Sequence, residues 1–101
     1  MKVKEEAAAY ASASSWFLYI LRCGDGSLYT GVTTDIDRRF KMHSEGKASR
    51  YTRTHQPVDL VYREECGSRS QALARECAVK SLPRKGKERL ILGGRDRGRR
   101  T

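Results

Sequence analysis

No apolar run in this 101-residue sequence approaches the ~18 residues that a membrane span requires. Cysteine is scarce and odd in number: Cys23, Cys66 and Cys77 show neither C-x-x-C nor Cys/His ligand spacing. That argues against a disulfide framework and a structural zinc site, and a reducing cytoplasm is the expected location. A secretory leader is not expected either. Ala7 to Ala13 carries the small residues of a cleavage region, but Glu5 and Glu6 stand where its apolar stretch would begin. Zinc-finger and RNA-binding signatures and a recognition helix are all missing, so nothing predicts sequence-specific reading of a partner. Acidic residues are also short, 12 against 21 Lys and Arg.

The resulting net charge of +9 favours a polyanionic partner, and nucleic acid is the commonest one for so small a protein. From Arg84 onward there are eight basic and two acidic residues, so the charge is weighted towards the C-terminal end. A hydrophobic share of 38% is modest. Those residues concentrate between Trp16 and Leu92, enough for one small core and hence one domain. The expected organisation is a flexible leader over 1–15, a domain over 16–92 and a basic disordered tail over 93–101.

Within the domain, Trp16 to Leu21 is continuously apolar or aromatic and short, which predicts a strand covered on both faces and central in its sheet. The turn signal Cys23-Gly24-Asp25-Gly26 and the run Leu28 to Val32 complete a hairpin. Thr34 or Asp35 can cap a helix that ends at Gly46. Gly46 to Pro57 reads as a long basic loop, and Val58 to Tyr62 as a third strand. Ser68 and Gln71 have capping-box spacing and open a helix ending near Pro83, followed by a last turn or two over 85–92. The order β-β-α-β-α-α predicts an α+β fold, a small three-stranded antiparallel sheet flanked by helices.

Two helices put polar residues where their apolar period asks for core. In the first, Ile36, Arg39, Phe40 and His43 share one stripe, with Arg39 and His43 on adjacent turns and Arg38 pointing elsewhere. In the second, Glu76 lies within a stripe of Ala72, Leu73, Cys77 and Lys80. The bland alternatives are an i,i+4 pair of Glu76 with Lys80, worth about 0.3–0.5 kcal/mol, and an arginine whose stem lies on apolar surface. Tyr19 and Tyr29, taken singly, are ordinary strand packing residues.

Taken in order, Leu18-Tyr19-Ile20, Tyr29-Thr30-Gly31, Arg39-x-x-x-His43 and a helical Glu76 resemble the GIY-YIG nuclease superfamily. The likeness runs from about Trp16 to Leu92. It is closest to small stand-alone bacterial members and to the nuclease domain of Slx-type structure-specific endonucleases. It implies metal-dependent hydrolysis of phosphodiester bonds in nucleic acid at a shallow site, with DNA expected ahead of RNA as the substrate and repair or recombination as the setting.

By resemblance, Tyr19 activates water and Glu76 holds a single divalent ion, Mg²⁺ or Mn²⁺. Arg39 clamps phosphoryl oxygens, while Tyr29 and His43 orient these groups or relay a proton. Some members carry a lysine just after the second triplet, and Val32 stands there in this chain, leaving His43 as the local helper for Tyr19. A tyrosine with an ordinary pKa near 10 is a poor base at neutral pH, so Arg39 and the ion are expected to lower it. Lys47, Arg50 and Arg53, with His55 nearby, are the candidate substrate contacts, and Tyr51 can stack on an unpaired base. A protein partner for targeting fits so small a catalytic unit. The competing reading is a non-catalytic nucleic-acid-binding protein with the same fold and basic surface.

Overall fold

A computed structural model describes the backbone of residues 15–100 and the side chains of 15–94. Strands β1 (Trp16–Cys23), β2 (Leu28–Thr33) and β3 (Val58–Gly67) form one antiparallel sheet in the order β2-β1-β3. Helices α1 (Ile36–Ser44) and α2 (Arg50–Thr54) lie between β2 and β3 in sequence, and α3 (Arg69–Lys80) and α4 (Arg84–Arg100) follow. This is the expected α+β architecture, with the most apolar strand in the centre.

The period of β1 divides the core in two. Leu18 and Ile20 point to one face, where they pack with Tyr62, Val79 and Ile91 of β3, α3 and α4. Tyr19 and Leu21 point to the other, against Ile36 of α1 and the half-buried Phe17, Tyr29 and Phe40. All four of these β1 residues are at most 3% exposed. A tyrosine thus occupies a position that periodicity reserves for core.

Local chemistry sets the ends of the elements. Asp35 caps α1 by accepting from the Arg38 amide at 3.1 Å, and Gly46 ends it with a φ of +75°, a left-handed conformation that glycine adopts without steric cost. Ser68 and Gln71 form the reciprocal capping box of α3.

Four expectations need correction. The stretch read as a loop from Gly46 to Pro57 contains α2, short but capped by Ser49, whose hydroxyl accepts from the Thr52 amide at 3.1 Å. Strand β3 runs five residues past Tyr62. Its charged continuation is stabilised across the sheet face, where Arg75 Nε of α3 donates to Glu64 Oε2 at 2.7 Å. The buried face of α3 is not the expected stripe: Ala72 and Val79 are buried, Arg75 and Glu76 half-buried, and Leu73 and Cys77 exposed. Polar residues with partners inside have displaced apolar ones from that face.

The fourth correction concerns residues 93–101, expected to be disordered. The structure carries α4 through Gly93 and Gly94 to Arg100, with Thr101 outside the described residues. The glycine pair reads as a terminator, yet Gly94 lies against the ring of Tyr62, where a side chain would collide. Its missing Cβ serves helix–sheet contact, and the arginine-rich remainder favours helix. The expected leader over 1–15 lies outside the described residues except for Ser15. Among the described residues, no helix is long and apolar enough to cross a membrane.

Candidate active site

On the α1 face of the sheet, the Tyr19 hydroxyl lies 2.8 Å from His43 Nε2. His43 is itself 1% exposed, and its Nδ1 lies 2.7 Å from the hydroxyl oxygen of Thr52, which is wholly buried in α2. Tyr29 presents its ring edge-on to His43, with centroids 5.1 Å apart, and stacks at 6.0 Å on Tyr51. Tyr51 in turn stacks on His55 at 4.0 Å. Three sequence-predicted residues, Tyr19, Tyr29 and His43, therefore meet in one cluster.

Gly31 explains how Tyr19 fits. The antiparallel register sets Tyr19 directly opposite Gly31, and a Cβ on Gly31 would stand 2.5 Å from the Tyr19 hydroxyl oxygen and 2.6 Å from its ring. The open space over this glycine holds neither substrate nor backbone. It holds the tyrosine of the neighbouring strand. Gly31→Ala is expected to destabilise the protein by about 1–3 kcal/mol, the usual range for overpacking, through displacement of that ring. A urea unfolding midpoint equal to wild type would show that the ring moves aside freely.

Arg39 and Glu76 complete the cluster electrostatically. Burial pushes the Tyr19 hydroxyl well above the ordinary tyrosine range and the nearby Tyr29 adds to this, while Arg39 opposes it and Glu76 reinforces it. The expectation that Arg39 lowers this pKa holds in sign, and with the protein's own groups alone the removal of a phenolate from water outweighs one partly exposed guanidinium. Tyr19 is a proton donor at neutral pH. For His43 both burial and Arg39 act in the same direction and hold its pKa below the ordinary value, keeping the imidazole neutral.

That shift has a consequence for folding. The unfolded histidine, with its ordinary pKa of 6.5, binds a proton before the folded one does. The stabilising contribution of neutral His43 is complete above that pH and is lost as pH falls through the lower folded value. Wild-type stability is expected to decline as pH falls below about 6.5, and His43→Gln to flatten this part of the profile. Denaturant midpoints across the range check it, and parallel profiles would refute the buried neutral histidine.

Arg39 is half-buried, and its Nε is buried with no hydrogen-bond partner among the described residues. Such an atom costs free energy unless something else satisfies it. Glu76 is half-buried on α3, with Oε2 3.2 Å from Lys80 Nζ, so the bland i,i+4 pair is present. Beside it, a groove of about 310 Å³ is lined by Leu28, Tyr29, Thr30, Tyr51, Lys80 and Lys87. Lys80 thus borders the groove and pairs with the candidate metal ligand. A hollow of about 220 Å³ between β3 and α4, lined by Leu60, Val61, Tyr62, Arg63 and Gly94, contains none of the catalytic candidates.

The three residues expected to contact substrate are all exposed. Arg50 and Arg53 lie on α2, the helix that carries Thr52 into the site, and Lys47 precedes it with its amine 3.7 Å from Glu45. None of the three lines the groove. Sequence reasoning missed Lys80 and Lys87 as groove residues and Thr52 as a partner of His43. The lysines could have been found from their positions four residues after Glu76 and three after Arg84, each about one helical turn on. Thr52 gave no signal, because the helix that buries it was not expected.

A family model described as the GIY-YIG catalytic domain matches residues 15–89. A UPF0213 protein of Desulfotalea psychrophila is 53% identical over 78 residues, which cover 76% of this chain and 71% of the relative. A UPF0213 protein of Natronomonas pharaonis is 46% identical over 79 residues, 78% of this chain and 93% of the relative. Among solved structures, the solution structure of a UPF0213 protein of Bacillus halodurans is 47% identical. It covers 79% of this chain and 86% of its own, with a TM-score of 0.52. A protein of Enterococcus faecalis, 40% identical, covers 78% and 84% with a TM-score of 0.55.

Proposed function

This chain belongs to the GIY-YIG catalytic-domain family, a nuclease superfamily, and on that premise we propose that it is a metal-dependent endonuclease that hydrolyses phosphodiester bonds in DNA. The observation that carries the reading is the buried Nε of Arg39, which has no hydrogen-bond partner among the described residues, beside the Tyr19–His43 pair. A phosphodiester that reached this half-buried guanidinium would supply acceptors its described surroundings lack, and a planar guanidinium matches two phosphoryl oxygens at once.

The remaining groups fit hydrolysis at that phosphate. Tyr19 donates to neutral His43 Nε2, so its proton has somewhere to go as the hydroxyl takes one from the attacking water. The oxygen of that water bonds to phosphorus as the bond to the leaving oxygen breaks. His43 ends as an imidazolium and Tyr19 is again a phenol. The forming negative charge falls on oxygens that Arg39 faces. Tyr29 holds the imidazole edge-on in place.

The described residues contain no group of three or more His, Cys, Asp or Glu side chains that could cage a metal. What they offer is the half-buried carboxylate of Glu76, paired with Lys80 of the groove wall. One hard oxygen donor with room for water fits Mg²⁺ or Mn²⁺ and does not fit zinc, so Glu76 would hold the ion. When bound, such an ion supplies Lewis-acid polarisation of the phosphoryl group and charge for the leaving oxygen.

Lys80 and Lys87 on the groove wall, with Arg50 and Arg53 on α2 and Lys47 just before it, would contact the DNA backbone. Tyr51 on the same wall would exchange one of its stacking partners, His55 or Tyr29, for a base of a single-stranded or branched substrate, as repair or recombination intermediates provide. Pure protein should nick such DNA in Mg²⁺ or Mn²⁺, measured over single strands, duplexes, flaps and junctions. Undiminished binding without any cleavage across that panel would favour the purely binding alternative.

A further inference from the structure

Thr52 is the most deeply buried polar side chain near the site, and its position in α2 is occupied by hydroxyl chemistry on every side. Its oxygen lies 2.7 Å from His43 Nδ1, 3.0 Å from the Ser49 hydroxyl and 3.4 Å from the Ser49 carbonyl. Ser49 Oγ already accepts from the Thr52 amide as the helix cap. A hydroxyl has one proton to give, and a helical threonine commonly gives it back to the carbonyl three or four residues earlier. With the proton directed towards Ser49, the face turned to His43 carries a lone pair.

We infer that Thr52 is a positioning residue of the reaction: by accepting from His43 Nδ1–H it fixes the tautomer whose bare Nε2 takes the proton of Tyr19. A neutral imidazole carries one N–H, so the hydrogen bond at one nitrogen decides the role of the other. The opposite tautomer would direct Nε2–H at the Tyr19 oxygen and leave the tyrosine proton without an acceptor. Burial of Thr52 excludes water as a substitute partner. The chain Tyr19, His43, Thr52, Ser49 therefore runs in one donor direction, from the reacting hydroxyl to the cap of α2. Gln56 supports the arrangement from behind, donating from Nε2 to the His43 carbonyl at 2.7 Å and to the Thr52 carbonyl at 2.6 Å. A single amide thus ties the end of α1 to the end of α2.

The role rests on the nuclease reading, but the tautomer does not, and the test separates them. Long-range ¹⁵N–¹H spectra of the full chain report which imidazole nitrogen bears the proton, with His55→Gln assigning the two histidines. Wild type should show His43 protonated at Nδ1 alone. Thr52→Val, close in shape but without the hydroxyl, should shift it towards Nε2–H and slow single-turnover cleavage by about 10–100-fold, the range seen when an orienting partner of a functional histidine is lost. Thr52→Ser should restore both the tautomer and, to within a few-fold, the rate. A wild-type His43 protonated at Nε2 overturns the inference, and so does a Thr52→Val protein that keeps both tautomer and rate. Should Thr52→Val not fold, the wild-type spectrum and Thr52→Ser still decide. Wild-type protein that cuts no DNA while showing the Nδ1–H tautomer would leave the positioning intact and overturn the nuclease reading alone.

Discussion

Tyr19→Phe is expected to slow single-turnover DNA cleavage by about 10²–10⁴-fold, the usual worth of a positioned proton-transfer group. The ring remains in place over Gly31, because phenylalanine keeps every carbon contact and only the hydroxyl is lost. What disappears is the 2.8 Å link to His43 Nε2 and, with it, the route by which water loses its proton. His43 Nε2 is left unpaired inside the core, which costs about 1–3 kcal/mol of stability. The variant should therefore fold, melt somewhat earlier and bind DNA nearly as well as wild type. Rapid-mixing cleavage with enzyme in excess is the measurement. A rate within threefold of wild type would remove Tyr19 from the chemistry.

Glu76→Gln should cost at least about 100-fold at ordinary Mg²⁺ concentrations, since the carboxylate proposed to hold the ion becomes a neutral amide. Stability should change little, because the partly exposed pair with Lys80 contributes at most about 0.5 kcal/mol. DNA binding in the absence of metal should hold or tighten: Lys80 is released from its partner and a negative charge beside the phosphate is gone. Raising Mn²⁺ should recover part of the rate if the loss is one of metal affinity. Cleavage at wild-type rate in low Mg²⁺ would place the ion elsewhere, and undiminished wild-type cleavage in excess chelator would remove it altogether.

The parts of this fold legible in the sequence are those whose local signal and tertiary role coincide. Trp16 to Leu21 is apolar on both parities, and the sheet covers it on both faces. Asp35, Gly46, Ser68 and Gln71 cap helices in the structure as their spacing predicts. Legibility failed where a distant partner decides. Nothing in Arg63 to Gly67 announces a strand until Arg75 is seen on Glu64. Gly93 and Gly94 carry the signature of a helix end, and only the Tyr62 ring shows why glycine stands at position 94.

The site divides the same way. The ordered set of Tyr19, Tyr29-x-Gly31, Arg39, His43 and Glu76 was recognisable as a resemblance, and the side-chain geometry brings the two tyrosines and the histidine together. The direction of the Tyr19 pKa was not recognisable, because burial depends on packing that charge counting does not reveal. Thr52 was invisible for the same reason. A threonine in a polar stretch reads as surface until its helix is known to fold inward.

Strand β1 is hydrogen-bonded along both edges, to β2 and to β3, and covered on both sides. Its amides can exchange with solvent only when the whole domain opens, so no partial opening frees Tyr19 while the rest stays folded. The protein has in effect no independent adjustment of its reacting hydroxyl: a change that retunes it also alters the core, and selection must accept both together. The groove wall is under no such constraint. Tyr51 and Lys80 are exposed and Lys87 only partly covered, so they can vary without touching β1. On the proposed reading, descendants of this chain would then diversify in what the groove holds and keep one reacting centre.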